Sequence, residues 1–264
     1  MARAYEQQGY LILDLALPEA LLADAGAVTR GFLGRHSRVQ DGYRRFPAIR
    51  ELAVYPPVLE LLAELYGRRP IPFQTLNFPV GTQQGSHADT IFFDSRPAGM
   101  MCGLWVALED IDAGAGPLHY YPGSHRRDVV TPDMIDATHG GDLYARFRDE
   151  TADFPKRTAL LERGQAILWS ANLLHGGEAI SRPGATRLSQ VTHYYFEGCA
   201  YTAPIDRDAD GESLVRFPYD ISRGRFVLGR DPDTGRRVWP HWRYALSEWR
   251  SRLSRRITTE PAGE

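Results

Sequence analysis

His87 and Asp89 stand two residues apart, with Ala88 between them, in a short apolar run that reads as a strand. Successive strand side chains point to opposite faces, so an imidazole nitrogen and a carboxylate oxygen would leave the same face and converge. Two such donors hold a transition metal poorly, and a third must come from elsewhere in the chain. Of the eight histidines His175 suits that part best, because it follows the strand-like run Ala166 to Trp169 and precedes Gly176 and Gly177. Two imidazoles and one carboxylate on one face of an iron(II) ion leave three positions open, enough for a bidentate cosubstrate and dioxygen. A His-x-Asp pair taken alone is more often a hydrogen-bonded surface pair, so its meaning rests on what accompanies it.

Twelve residues after His175 comes Arg187, followed by Ser189 on the same strand face. A guanidinium fork beside a hydroxyl can grip a carboxylate. The plain alternative for Arg187 is a surface salt bridge. His36, His139, His193 and His241 have no comparable surroundings.

The elements that must position these groups are legible as a change of texture. Pro18 to Phe32 and Pro57 to Tyr66 carry apolar residues at helical spacing. From Ile71 onward short apolar runs cut by Gly and Pro read as strands: Phe73 to Val80, His87 to Phe93, Met101 to Leu108, Leu118 to Tyr121, Ala166 to Trp169 and Arg187 to Phe196. Strands in series with helices before them predict a mainly β, α+β chain: an antiparallel sandwich or jelly roll with flanking helices. One domain over 1–264 is expected, with a helical N-terminal support at 1–70, a core jelly roll at 71–197 and a C-terminal extension at 198–264. Polar, mixed-charge sequence near 126–163 interrupts the strands and reads as a lid. A last helix is expected over 244–253, and Arg250, Arg252, Arg255 and Arg256 of the final segment read as a solvated helix face.

Composition sets the outer bounds. The 264 residues are 43% hydrophobic and 24% charged, which suits a folded chain with a sizeable core. Thirty-one basic residues against 33 acidic ones give no global electrostatic case for nucleic acid or an anionic membrane as partner. Cys102 and Cys199 are too few for a disulfide framework and lack zinc-site spacing, so reduced thiols in the cytoplasm are expected. The run Tyr10 to Leu17 is short, broken by Asp14 and preceded by Glu6 rather than by a basic cluster, so it does not read as a signal peptide.

From about Phe73 to Phe196 the sequence resembles the phytanoyl-CoA dioxygenase-like branch of the iron(II)/2-oxoglutarate oxygenases. The resemblance rests on His87-Ala88-Asp89, the run Trp105 to Asp110, Gly116-Pro117-Leu118, Pro122-Gly123-Ser124-His125-Arg126, His175, and Arg187-Leu188-Ser189. It implies a double-stranded β-helix of the cupin kind, with His87, Asp89 and His175 as iron ligands. Arg187 and Ser189 would hold the distal carboxylate of 2-oxoglutarate, and Trp105 would line the cosubstrate pocket. Gln74 is expected to reach the same pocket, since Asn77 has the opposite strand parity. His119, Tyr121, His125 and Arg126 are candidates for touching substrate, in a turn whose main role is read as structural. Gly177 departs from the family pattern, because some members carry a hydroxyl residue there.

The chemistry implied is oxidative decarboxylation of 2-oxoglutarate to succinate by dioxygen at iron(II), coupled to oxidation of a small-molecule substrate. Hydroxylation and oxidative cyclisation both fit. Halogenation does not, because Asp89 retains the carboxylate that halogenases give up. A lid rich in polar groups, among them His139, Asp142, Tyr144, Arg146 and Arg148, is compatible with a polar, polyhydroxylated substrate and equally with a solvent-facing segment; with no concentrated basic groove for CoA phosphates near the motifs, a polar specialised metabolite is expected, sugar-containing molecules included. An acyl-CoA hydroxylase of the same family is the alternative, and a cupin-like metal-dependent isomerase or hydrolase is a further one. The sequence gives no handle on oligomeric state.

Overall fold

Strand alternation decides what faces the interior, and it sorts this chain cleanly. The computed structural model describes residues 1–128, 130, 143–208, 211–242, 245–246 and 258–261. Its main sheet contains β1 (Tyr10–Asp14), β2 (His36–Gln40), β3 (Pro70–Phe78), β5 (Met101–Ala107), β8 (Gln165–Ser170) and β10 (Ser189–Phe196). With Thr258–Pro261 at the edge, the seven strands run in the order β1-β8-β5-β10-β3-β2-Thr258–Pro261, all antiparallel. A second sheet faces it, with β6 (Leu118–Tyr120) between β7 (Arg157–Thr158) and β9 (His175–Gly177). The closed pair is a jelly roll. A third sheet, β12 (Ser213–Val215), β11 (Ala200–Arg207) and β4 (Asp94–Arg96), extends one end.

On the outer face of the main sheet Leu104, Val106, Leu168, Tyr194 and Phe196 pack under α2 (Glu19–Arg30), α3 (Pro47–Ala53) and α4 (Pro56–Tyr66), through Leu22, Ile49, Leu52, Val58 and Leu62. Burying each such side chain contributes about 1.5–3 kcal/mol. The alternate residues Phe78, Trp105, Ile167, Trp169 and Val191 point into the jelly roll and meet Leu118 and Tyr120 of the second sheet. Gly103 belongs to this inner set, and a Cβ there would lie 2.5 Å from the Trp169 ring. Its missing side chain is what lets the indole lie across β5. On the outer face the buried Asn77 donates its amide to Thr29 Oγ1 and Gln190 Oε1 at 3.1 and 3.3 Å.

Several expectations are corrected. The first 70 residues are not only helical: besides α1 (Ala2–Gln8) they supply β1 and β2. The apolar run at Tyr10 is thus an edge strand paired residue for residue with β8. The run from His87 to Phe93 is not a strand. It makes a single bridge from His87 to His175, passes through an extended Ala88, and turns into a 3-10 helix at Asp89–Ile91. Within the expected lid, α5 (Leu143–Glu150) buries Phe147, while His139 and Asp142 lie outside the described residues. Residues 245–246 are helical, and the rest of the helix expected over 244–253, with the four arginines, lies outside the described residues. No helix among the described residues is long and apolar enough to cross a membrane.

Candidate metal centre

Backbone pairing brings two parts of the chain together. His87 N–H donates to the His175 carbonyl at 2.9 Å and His175 N–H returns the bond at 3.0 Å, so the two residues form one rung of an antiparallel ladder. Each imidazole directs Nδ1 at a carbonyl two residues back, Gly85 for His87 and Leu173 for His175, both at 3.0 Å. A carbonyl only accepts, so Nδ1 carries the proton and the Nε2 lone pair of each ring faces inward. Asp89 Oδ1 lies 3.7 Å from His87 Nε2 and 3.8 Å from His175 Nε2. The three donor atoms lie within 4.8 Å of one another, and all three residues are buried. Metal bonds of about 2.1 Å span gaps of this size with little adjustment.

Electrostatics prepares the same set for a cation. Burial pushes the His87 imidazole down to about 4, with His175 adding to the shift and Asp89 opposing it. His175 is lowered by burial too, against the pull of Asp89. Burial acts on Asp89 in the opposite direction, but His175, His193 and His87 around it hold its carboxyl well below the ordinary carboxylate range. The state at neutral pH is two neutral imidazoles and one carboxylate, the protonation a divalent metal requires.

The centre opens into a cavity of about 510 Å³. Gln74, Trp105 and Arg187 line it. Arg187 is 3% exposed, and burial lowers its guanidinium to about 10, so it remains a cation at neutral pH. Its Nη1 donates to the Gly116 carbonyl at 2.9 Å, its plane lies 5.7 Å from the Phe78 and Trp105 rings, and its Nε has no partner. Trp105 Nε1 is likewise buried without a partner. A buried cation with an unused donor, on the wall shared with three metal-type ligands, has the chemistry to accept an anion.

The other expected residues are placed differently. Ser189 is the first residue of β10, fully buried, and its hydroxyl bonds the Arg187 carbonyl at 3.4 Å; it is not among the residues lining the cavity. His125 does not line the cavity, and its Nε2 donates to the Glu6 carbonyl of α1 at 3.0 Å. Arg126 is exposed beside it. His119 and Tyr121 form a buried cluster next to the centre, His119 bonding Ser86 Oγ at 2.9 Å, and neither lines the cavity. The space that a side chain at Gly177 would fill is taken by Thr82, whose Oγ1 would lie 2.9 Å from a Cβ there, and Thr82 does line the cavity.

His193, set aside in the sequence, sits in the centre. Its Nε2 lies 3.5 Å from Asp89 Oδ2 and its Nδ1 2.9 Å from Gln74 Oε1. Its parity with Val191 on β10 was the available signal, since both point into the jelly roll. Ile205, Asp206 and Arg216, from the C-terminal extension, also line the cavity. Arg216 is rooted there by the Phe92 carbonyl at 3.3 Å and the Phe93 ring at 4.7 Å.

Comparison with known proteins follows the same lines. The family model described as phytanoyl-CoA dioxygenase (PhyH) matches residues 5–187. A probable phytanoyl-CoA dioxygenase of Caenorhabditis elegans is 24% identical over 211 residues, covering 75% of this chain and 66% of that protein. The chain spans less still of the peroxisomal phytanoyl-CoA dioxygenase of Rattus norvegicus, 41%, at 27% identity over 53% of this chain. Among solved structures, the epimerase SnoN from nogalamycin biosynthesis, in complex with Fe3+, alpha ketoglutarate and nogalamycin RO, is 25% identical with a TM-score of 0.61, over 76% of this chain and 84% of that one.

Proposed function

The chain belongs to the phytanoyl-CoA dioxygenase family, and on that footing we propose that it is an iron(II)- and 2-oxoglutarate-dependent oxygenase acting on a small polar metabolite. In this reading His87, Asp89 and His175 hold the ion and Arg187 receives the distal carboxylate of 2-oxoglutarate. The observation that carries it is Arg187: a buried cation with a free Nε, on the wall of the cavity that holds the three donors. A zinc isomerase or hydrolase on the same scaffold has no use for that cation.

Bound iron(II), with 2-oxoglutarate and dioxygen, supplies the oxidising power, and decarboxylation of the cosubstrate to succinate accompanies it. The chain's own residues do the rest. The carbonyls of Gly85 and Leu173 fix the tautomer and tilt of both imidazoles. Trp105, Phe78 and Val191 make an apolar wall that strengthens the Arg187–carboxylate attraction by keeping water away. Gln74 is kept on this surface by its bond to His193. Thr82 stands where the family pattern would place a hydroxyl at 177, and supplies one from a different segment.

The opposite wall is the substrate's. Gln84, Tyr144, Ile205, Asp206 and Arg216 offer hydrogen-bonding groups of both signs with a few apolar surfaces, which suits a polar, polyhydroxylated molecule better than a long acyl chain. Gln84 Nε2 donates to the Tyr144 hydroxyl at 3.1 Å, tying α5 to the loop that precedes His87. SnoN and this chain share the fold of the site, and nogalamycin RO in that structure is a glimpse of the kind of ligand such a cavity takes.

The test follows succinate formation with iron(II), ascorbate and 2-oxoglutarate across a library of sugars, amino acids, glycosylated metabolites and acyl-CoA thioesters. A polar metabolite should stimulate succinate release in the native protein, and Asp89→Ala should abolish it together with tight iron binding. Stimulation by acyl-CoA alone would overturn the substrate class. Full activity of Asp89→Ala would overturn the metal centre.

A further inference from the structure

The two oxygens of Asp89 are not equivalent. Oδ1 faces the two ligand imidazoles, at 3.7 and 3.8 Å. Oδ2 is held from behind: Trp169 Nε1–H donates to it at 2.8 Å, and His193 Nε2 lies 3.5 Å away on another side. The indole has no freedom to leave. Its ring lies against the backbone of Gly103, where any Cβ would collide with it, and its centroid is 4.6 Å from that of His175. Trp169 is 2% exposed and the last inward-facing residue of β8.

We propose that Trp169, with His193 in support, is a positioning residue that restricts Asp89 to a single metal-facing oxygen, and so preserves the third open coordination position for the cosubstrate and dioxygen. The inference rests on the functional reading above. A carboxylate free to rotate can grip a cation with both oxygens, and that second bond takes a position which a two-atom cosubstrate and dioxygen together need. A hydrogen bond to Oδ2 opposes this, because the oxygen would have to give up its partner. The same indole lies beside His175, so one side chain fixes the carboxylate and braces a neighbouring ligand.

The experiment uses the full-length protein loaded anaerobically with cobalt(II), whose visible absorption reports coordination number, and titrated with 2-oxoglutarate. Trp169→Phe keeps an aromatic ring in the core but loses the N–H together with part of the indole's bulk over Gly103. It should weaken 2-oxoglutarate binding by about tenfold or more while changing cobalt affinity far less, and shift the cobalt spectrum of the cosubstrate-free protein toward higher coordination. A purely packing role would instead weaken metal and cosubstrate binding in step, and that result, or unchanged 2-oxoglutarate affinity, overturns the proposal. Should Trp169→Phe fail to give folded protein by circular dichroism, His193→Leu is judged by the same criterion, with a smaller effect in the same direction expected. Native protein that binds cobalt but not 2-oxoglutarate would overturn the cosubstrate reading itself, and this inference with it.

Discussion

Replacing Arg187 with methionine should make the metal-free protein no less stable while nearly abolishing its affinity for 2-oxoglutarate. Burial lowers the guanidinium from 12.5 to about 10, which corresponds to a cost of about 3 kcal/mol for keeping the charge inside. Against this stand one hydrogen bond to the Gly116 carbonyl, about 1 kcal/mol, and two ring contacts at 5.7 Å, each about 0.5 kcal/mol. The balance favours methionine by about 1 kcal/mol, and a gain of 0 to about 2 kcal/mol is expected in urea unfolding of the apo protein. Two charge-assisted bonds to a carboxylate contribute about 1.5–3 kcal/mol each, so 2-oxoglutarate binding to the iron(II) protein, followed anaerobically by absorption, should weaken by about 10² to 10⁴. Arg187→Lys keeps the charge without the fork and should fall in between. A methionine variant destabilised by more than about 2 kcal/mol would mean that the arginine is a structural ion partner, and one that bound 2-oxoglutarate normally would refute the anion seat.

The metal-free protein should lose stability in mild acid. The folded His87 pKa, about 4, lies below its unfolded value of 6.5, so between these limits the unfolded chain takes up a proton that the folded one refuses. The contribution is intact above pH 6.5 and shrinks as pH falls, by about 3 kcal/mol at pH 4. Urea unfolding across that window should be visibly less steep in pH for His87→Gln, and an equal slope would argue against a buried neutral imidazole. His125→Ala should lower the melting temperature through loss of the contact with Glu6 and of packing on Gly9, at about 1–2 kcal/mol. Iron and 2-oxoglutarate affinities should stay at native values, and a change in either would put His125 back among the residues of the site.

What could be read in advance follows from how far each signal reaches along the chain. The inner and outer faces of β3, β5, β8 and β10 are legible because period-two alternation is local; it separates Gln74 from Asn77 and groups Trp105 with Trp169. The convergence of His87 and Asp89 was expected for a different reason from the one found. A continuous strand was inferred, whereas one bridge and a 3-10 turn deliver the same approach. β1 and β2 were missed because their partners, β8 and β3, lie far off in sequence, and a short polar strand such as His36–Gln40 acquires its conformation from its neighbour. His193 was missed because its neighbour Asp89 lies 3.5 Å away in space but on a distant segment. Likewise nothing local told that Ile205, Asp206 and Arg216 return to the cavity mouth, beyond the stretch where family likeness is found.

The rung that joins His87 to His175 also bears on when the centre comes into being. A chain emerging during synthesis carries His87 and Asp89 early, yet their companion arrives only after β5, β6 and β8, and the rung closes only once β9 folds back. Contacts between segments this far apart form late, because the loop they close must be ordered first. A partly made or misfolded chain therefore offers an ion two donors and no enclosure. Under the function proposed above, the full set of three donors exists only once that rung has closed.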